Sequence, residues 1–319
     1  MTYSRDPDIP GLCHRSTAYK ASPTCLQTLD IWLPSQQNSG KTPSTSSTGF
    51  WIIYVHGGAW RDPTQDSLCV VPTLRALVDK HAGLFQQSSE RRIAGIASLN
   101  YRLSPYPSHS TDPSAPDDQD RNVMHPRHVE DVRDALTYLV KELGVQRWIG
   151  VGHSCGATLL LQLPLVCTEK ERGIQDDLRG MVLLAGIYDV PTFLAEHKPP
   201  KCPENIAAIY ADIVAGAFGE DEVVHRDVSP ARVGKGNLWG THAVLGYSAE
   251  DDLVEPKQRE MMLERYAEEG WVRGAQGREA EAEKVVDARD LVRGHDEVWE
   301  DGVQVADLIA EVVAKVDTR

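Results

Sequence analysis

Apolar residues along this chain follow two alternating patterns. Residues 27–33 (Gln-Thr-Leu-Asp-Ile-Trp-Leu) switch between apolar and polar, the period of a half-buried strand. Phe50-Trp-Ile-Ile-Tyr-Val55 is a continuous β-branched and aromatic run and predicts a fully buried strand. Ile93 to Leu99, Trp148 to Val151, Met181 to Ile187 and Ala243 to Tyr247 predict four more. Helical spacing falls between them. Val129, Val132, Leu136, Leu139, Val140 and Leu143 recur at three and four residues, and the pattern stops at Gly144. Cys155 to Leu163, Pro256 to Glu269 and Val303 to Val316 predict three further helices. Strands alternating with helices predict an α/β fold, with a mostly parallel central sheet and helices on both faces.

Four stretches interrupt the pattern. Ser35 to Gly49 is a Ser/Thr/Gly-rich loop, and residues 106–125 are rich in Ser, Pro and Asp and predict an exposed loop. Residues 190–240 combine weak periodicity with many prolines, which suits a cap or lid. Residues 273–284 are polar and predict a solvated segment. At roughly 150 residues per domain, 319 residues allow one domain or two. We read 1–319 as a single α/β domain with a small cap insertion at about 190–240.

Composition narrows the class further. The chain is 41% hydrophobic and 25% charged, as soluble globular proteins are. Its charge is 33 − 47 = −14. An acidic surface repels phosphate backbones and anionic lipid, so neither nucleic acid nor a membrane is an expected partner. The longest apolar run, Met181 to Tyr188, is far short of the ~20 residues that span a bilayer. The opening MTYSRDPDIPGLCHRS lacks the apolar core of a signal peptide, so a cytoplasmic protein is expected. The six cysteines form no CxxC pair and predict free thiols rather than a zinc site or disulfides.

The chemistry is most legible at Gly152-His153-Ser154-Cys155-Gly156, between a predicted strand and a predicted helix. Glycines on both sides permit a sharp turn with a nucleophile at its tip, and a helix N-terminus favours developing negative charge there. A serine hydroxyl needs a base oriented by a third group. In chains with this kind of elbow the acid comes next, after a late strand, and the histidine last. Asp251 and Asp252 both follow the strand 243–247. Asp251 is preferred because Leu253 and Val254 should then pack back into the sheet, and Asp252 stays open as the alternative. Only one of the eleven histidines, His295, follows them.

After the strand at 50–55 comes His56-Gly57-Gly58-Ala59-Trp60. Its consecutive glycines let backbone N–H groups approach a substrate oxygen. With the N–H of Cys155, those of Gly58 and Ala59 would make an oxyanion hole. His56 reads as a structural residue of this loop and His153 as packing at the elbow. Trp60 reads equally as a wall for an aromatic substrate or as a core residue. The Cys155 thiol should point away from the base, leaving its backbone N–H as the functional group. This chemistry calls for neither a metal nor a cofactor.

The set HGGAW, NYRLSP, GHSCGA, the late Asp-Asp-Leu-Val and GHDEVW resembles the α/β-hydrolase superfamily. Within it, HGGxW is similar to kynurenine formamidase, and GHSCGAT with GHDEVW to the fungal members. The resemblance runs from about Thr28 to Val313. It implies hydrolysis of N-formyl-L-kynurenine, a small molecule, to L-kynurenine and formate, in tryptophan breakdown towards NAD. It carries the nucleophile onto Ser154, the acid onto Asp251 and the base onto His295, and it implies a homodimer. The loop 106–125 and the stretch 273–284 depart from the family as insertions. Two other readings share these residues: a carboxylesterase or amidase of the same fold, and an inactive interaction module. No residue of the sequence identifies itself as the group that binds the amino-acid end of such a substrate.

Overall fold

The computed structural model describes residues 5–35, 49–86, 91–274 and 283–316. Most of the loop 35–49 and of the polar stretch 273–284 lies outside them.

The chain begins with a polar edge strand, β1 (Leu12–Ala18), paired antiparallel to β2 (Thr28–Pro34). The apolar run gives β3 (Phe50–Val55), buried along its whole length. Helix α1 (Val71–His81), with a proline in its first turn, leads to β4 (Ile93–Leu99). Helix α2 (Arg127–Leu143) is the amphipathic segment and ends where Gly144 turns left-handed. Then come β5 (Trp148–His153), α3 (Cys155–Gln162), the short α4 (Arg172–Asp177) and β6 (Leu178–Leu184). Residues 190–227 form α5 (Val190–Glu196), α6 (Glu204–Phe218) and α7 (Glu222–Asp227). The chain closes with β7 (His242–Ser248), α8 (Lys257–Glu268), the two-residue β8 (Val272–Arg273), β9 (Val285–Leu291), α9 (Glu297–Asp301) and α10 (Val303–Lys315).

These strands make one sheet in the order β1-β2-β4-β3-β5-β6-β7-β9-β8. β2 meets both its neighbours antiparallel, and every other pairing is parallel. Alternation along β3 divides the core. Phe50, Ile52 and Tyr54 pack with α1 and α10, while Trp51, Ile53 and Val55 pack with α2 and α3 on the opposite face. Parallel strands bring their carboxyl ends to one edge of the sheet, where open α/β sheets hold their ligands. The loops after β3, β5, β7 and β9 open at that edge.

Three elements differ from the sequence expectation. β6 stops at Leu184 because Ala185 turns to φ 47°, its N–H donating to Gly246 O; Ile187 is thereby released to line a cavity. β9 is not apparent from hydropathy, since it carries Asp287, buried against Lys315 Nζ at 2.9 Å. β1 is a polar edge strand and carries no apolar signal. The loop 106–125 is mostly exposed, as expected, but pinned: Asp120 accepts from the N–H groups of Cys25 (3.0 Å) and Leu26 (3.2 Å).

Candidate active site

Ser154 stands between β5 and α3 at φ 52°, ψ −125°. A side chain there strains the backbone and holds the hydroxyl at the tip of the turn. The turn exists because the neighbouring elements nearly touch. A Cβ on Gly156 would lie 2.2 Å from Val55 O, and one on Gly152 would lie 2.6 Å from Ala157 N. The two glycines flanking the elbow are therefore sites of close backbone approach.

His295 follows β9, and its Nδ1–H donates to Asp251 Oδ2 at 2.8 Å. That bond leaves Nε2 as the lone-pair nitrogen of the neutral ring. Asp251 Oδ1 accepts from the N–H groups of Leu253 (3.0 Å) and Val254 (2.9 Å). Burial pushes the Asp251 carboxyl up, but the His295 contact and these two N–H groups outweigh it and hold it below its usual range. Asp252 points elsewhere: it is exposed and lines the cavity mouth without meeting His295.

The HGGAW loop closes the opposite side. Gly58, Ala59 and Trp60 all have positive φ (94°, 50° and 60°), which Gly58 adopts freely and which strains the backbone at Ala59 and Trp60. Among the described residues, the N–H groups of Gly58 and Cys155 donate to no protein oxygen. Trp60 N–H donates to Cys155 Sγ at 3.2 Å, and the Ala59 N–H also turns toward that sulfur. Tyr101 Oη lies 3.5 Å from the same atom. Burial pushes the Cys155 thiol up to about 11, so it is a protonated packing group. His56 is buried, stacks on Tyr101 at 4.5 Å and is held neutral, its pKa lowered by burial to about 4. Trp60 is fully buried edge-on to Phe218 and does not line the cavity, so of its two readings the structure takes the core one.

Ser154, His295, Gly58 and Ala59 share one cavity of about 450 Å³. Its far wall is apolar, built from Ile187, Phe193, Leu253 and the inward side of α6. Two features of the site have no local signature in the sequence. His153 Nε2–H donates to the carbonyl of His295 at 3.0 Å, tying the elbow to the histidine loop. Arg61, next after the HGGAW motif, is buried in the cavity wall. Ligand atoms of His153, His295 and Asp296 lie within 4.8 Å of one another, the one such group among the described residues. Each already has protein partners: His153 on the His295 carbonyl, His295 on Asp251, and Asp296 Oδ1 on Gln65 and Trp299.

No family model matches the chain. It is 36% identical over 294 residues to a kynurenine formamidase-like hydrolase of Fusarium equiseti, covering 90% of this chain and 89% of that protein. The chain belongs to the kynurenine formamidase family. A kynurenine formamidase of Aspergillus versicolor is 28% identical over 316 residues, covering 93% of this chain and 96% of its own. The kynurenine formamidase fold seen here is that of α/β-hydrolases. Esterase B of Lactobacillus rhamnosis superposes with a TM-score of 0.63 at 14% identity, over 97% of this chain and 88% of that one. An esterase of Pyrobaculum calidifontis superposes with a TM-score of 0.60 at 16% identity, over 97% and 87%. As a kynurenine formamidase relative, the chain is a hydrolase acting on a small molecule. No helix among the described residues is long and apolar enough to cross a membrane.

Proposed function

We propose that this protein hydrolyses N-formyl-L-kynurenine to L-kynurenine and formate through a serine nucleophile. The observation that carries the reading is the contact of Asp251 with His295, a ring that lines the same cavity as Ser154. His295 Nε2 takes the proton of the Ser154 hydroxyl as the oxygen attacks the formyl carbon. Asp251 fixes the ring tautomer and stabilises the imidazolium that forms. The N–H groups of Gly58 and Cys155, with Ala59 beside them, stabilise the oxyanion. His295 then protonates the departing arylamine, and water hydrolyses the formyl-serine by the same route. A formyl group needs little acyl pocket, so the apolar far wall suits the aryl end. In this reading 190–240 is a cap on a single domain, and the protein is a cytoplasmic homodimer.

The test is to follow kynurenine absorbance with purified protein and N-formyl-L-kynurenine. Efficient turnover is expected, and Ser154→Ala and His295→Ala should each remove nearly all of it, because such residues act as a unit. Full activity in either variant would refute the residue assignment. Ester cleavage without formamide cleavage would move the function to a carboxylesterase of the same fold. Sedimentation of the purified protein as a monomer would remove the dimer from the proposal.

A further inference from the structure

The cavity holds one fixed cation. Among the residues that line it, Arg61 is the single Arg or Lys, and three carboxylates, Asp62, Asp252 and Asp296, line it too. Arg61 follows the strained HGGAW loop and is only 4% exposed. Its guanidinium carbon lies over the Tyr106 ring, 4.1 Å from the centroid. A cation over an aromatic face spends no hydrogen bond, and a guanidinium carries five N–H donors. One of them is used: Nη1 donates to Asp212 Oδ2 at 2.5 Å. Among the described residues, that is the guanidinium's one acceptor. Asp212 sits on α6 with its side chain 66% exposed, and an ion pair with so solvated a partner is weak.

A buried guanidinium with unused donors, in the wall of the cavity that Ser154 also lines, is a receptor for a planar anion. A carboxylate matches its fork in geometry and charge. We propose that Arg61 is a specificity-determining residue that binds the α-carboxylate of an amino-acid substrate while its scissile group sits at Ser154. The proposal rests on the formamidase reading above and adds the group that selects an amino acid over a simple anilide. The lining carboxylates repel the same anion, which leaves Arg61 as its one favourable seat and suits the ammonium group nearby.

The test compares N-formyl-L-kynurenine with N-formylkynuramine, which carries hydrogen in place of the α-carboxylate. The wild type should prefer the carboxylate substrate. Arg61→Met should lower the ratio of the two kcat/KM values by on the order of 10- to 100-fold, as loss of a charged hydrogen bond does. The loss should appear in KM more than in kcat. Arg61→Lys, which keeps charge and stem but not the fork, should also lower the ratio, and it carries the test if Arg61→Met does not fold. Asp212→Asn should keep the preference. An unchanged ratio in both Arg61 variants would overturn the proposal. So would an Asp212→Asn variant that loses the preference equally, since Arg61 would then be a tether for α6. A second arm measures L-kynurenine and kynuramine as inhibitors of phenyl acetate cleavage. Tighter inhibition by L-kynurenine that disappears in Arg61→Met supports the anchor even where no formamide is cleaved, so the two readings fail separately.

Discussion

At the residue scale, two adjacent carboxylates have opposite fates. Asp251 receives three N–H donors, from His295, Leu253 and Val254, and its side chain is 1% exposed. Asp252 faces the solvent side of the same loop. Replacing Asp251 by Asn keeps the shape but presents the wrong group to Nδ1 of His295, so kcat should fall on the order of 10⁴-fold. Asp252→Asn should cost less than about tenfold, as a mouth residue that meets no reacting group. Equal losses in the two variants, measured by kynurenine release, would remove Asp251 from the proposed role. The sequence favours Asp251 because Leu253 and Val254 are placed to fold back into the sheet. Their N–H groups do bind its oxygen, and Val254 is buried, but Leu253 stays exposed.

At the scale of elements, the elbow depends on how closely α3 approaches the end of β3. The 2.2 Å between a would-be Cβ of Gly156 and Val55 O is far inside contact distance, and backbone on both sides cannot yield cheaply. Gly156→Ala should therefore destabilise the protein by about 3 kcal/mol. It should also displace the Cys155 N–H and lower kcat, since the same turn aims both. Urea unfolding of the variant within about 0.5 kcal/mol of wild type would contradict this. Most elements were legible because their apolar pattern was clean, a continuous run in β3 and a helical period in α2. The exceptions have physical causes. β9 buries an aspartate that Lys315 neutralises, and β1 pairs at an edge where neither face needs to be apolar.

At the scale of the whole molecule, buried histidines make stability depend on pH. Burial lowers His56 to about 4 and both His128 and His153 to about 3, against an ordinary value of 6.5. Between those limits the unfolded chain binds protons that the folded one refuses. Stability is thus fully present above pH 6.5 and falls as pH drops through that window, by about 1.4 kcal/mol per pH unit for each group. At pH 5 all three rings lie inside that window, so each disfavours the folded state there. Asp251 works lower: its depressed pKa adds stability above its ordinary value of 3.8, lost only as pH falls below that. Thermal melts should show a clearly lower Tm at pH 5 than at pH 7.5. His128→Asn should flatten that difference. A Tm unchanged between the two pH values would contradict the burial of these rings in neutral form.

The sequence by itself determined what local pattern and chain order can carry: the α/β alternation, the Gly-flanked serine after a buried strand, the HGGAW loop, and a single histidine, His295, after Asp251 and Asp252. Only the tertiary structure decided which way side chains face. It turned Asp251 rather than Asp252 to His295, across 44 residues of chain. It sent Trp60 to the core, tied His153 to the carbonyl of His295 across 142 residues, and set Arg61 in the cavity wall opposite Asp212, 151 residues on. Hydropathy windows register burial and period, which each segment expresses on its own. Contacts between distant segments depend on how parallel strands align their ends, and that alignment exists only once the sheet has formed.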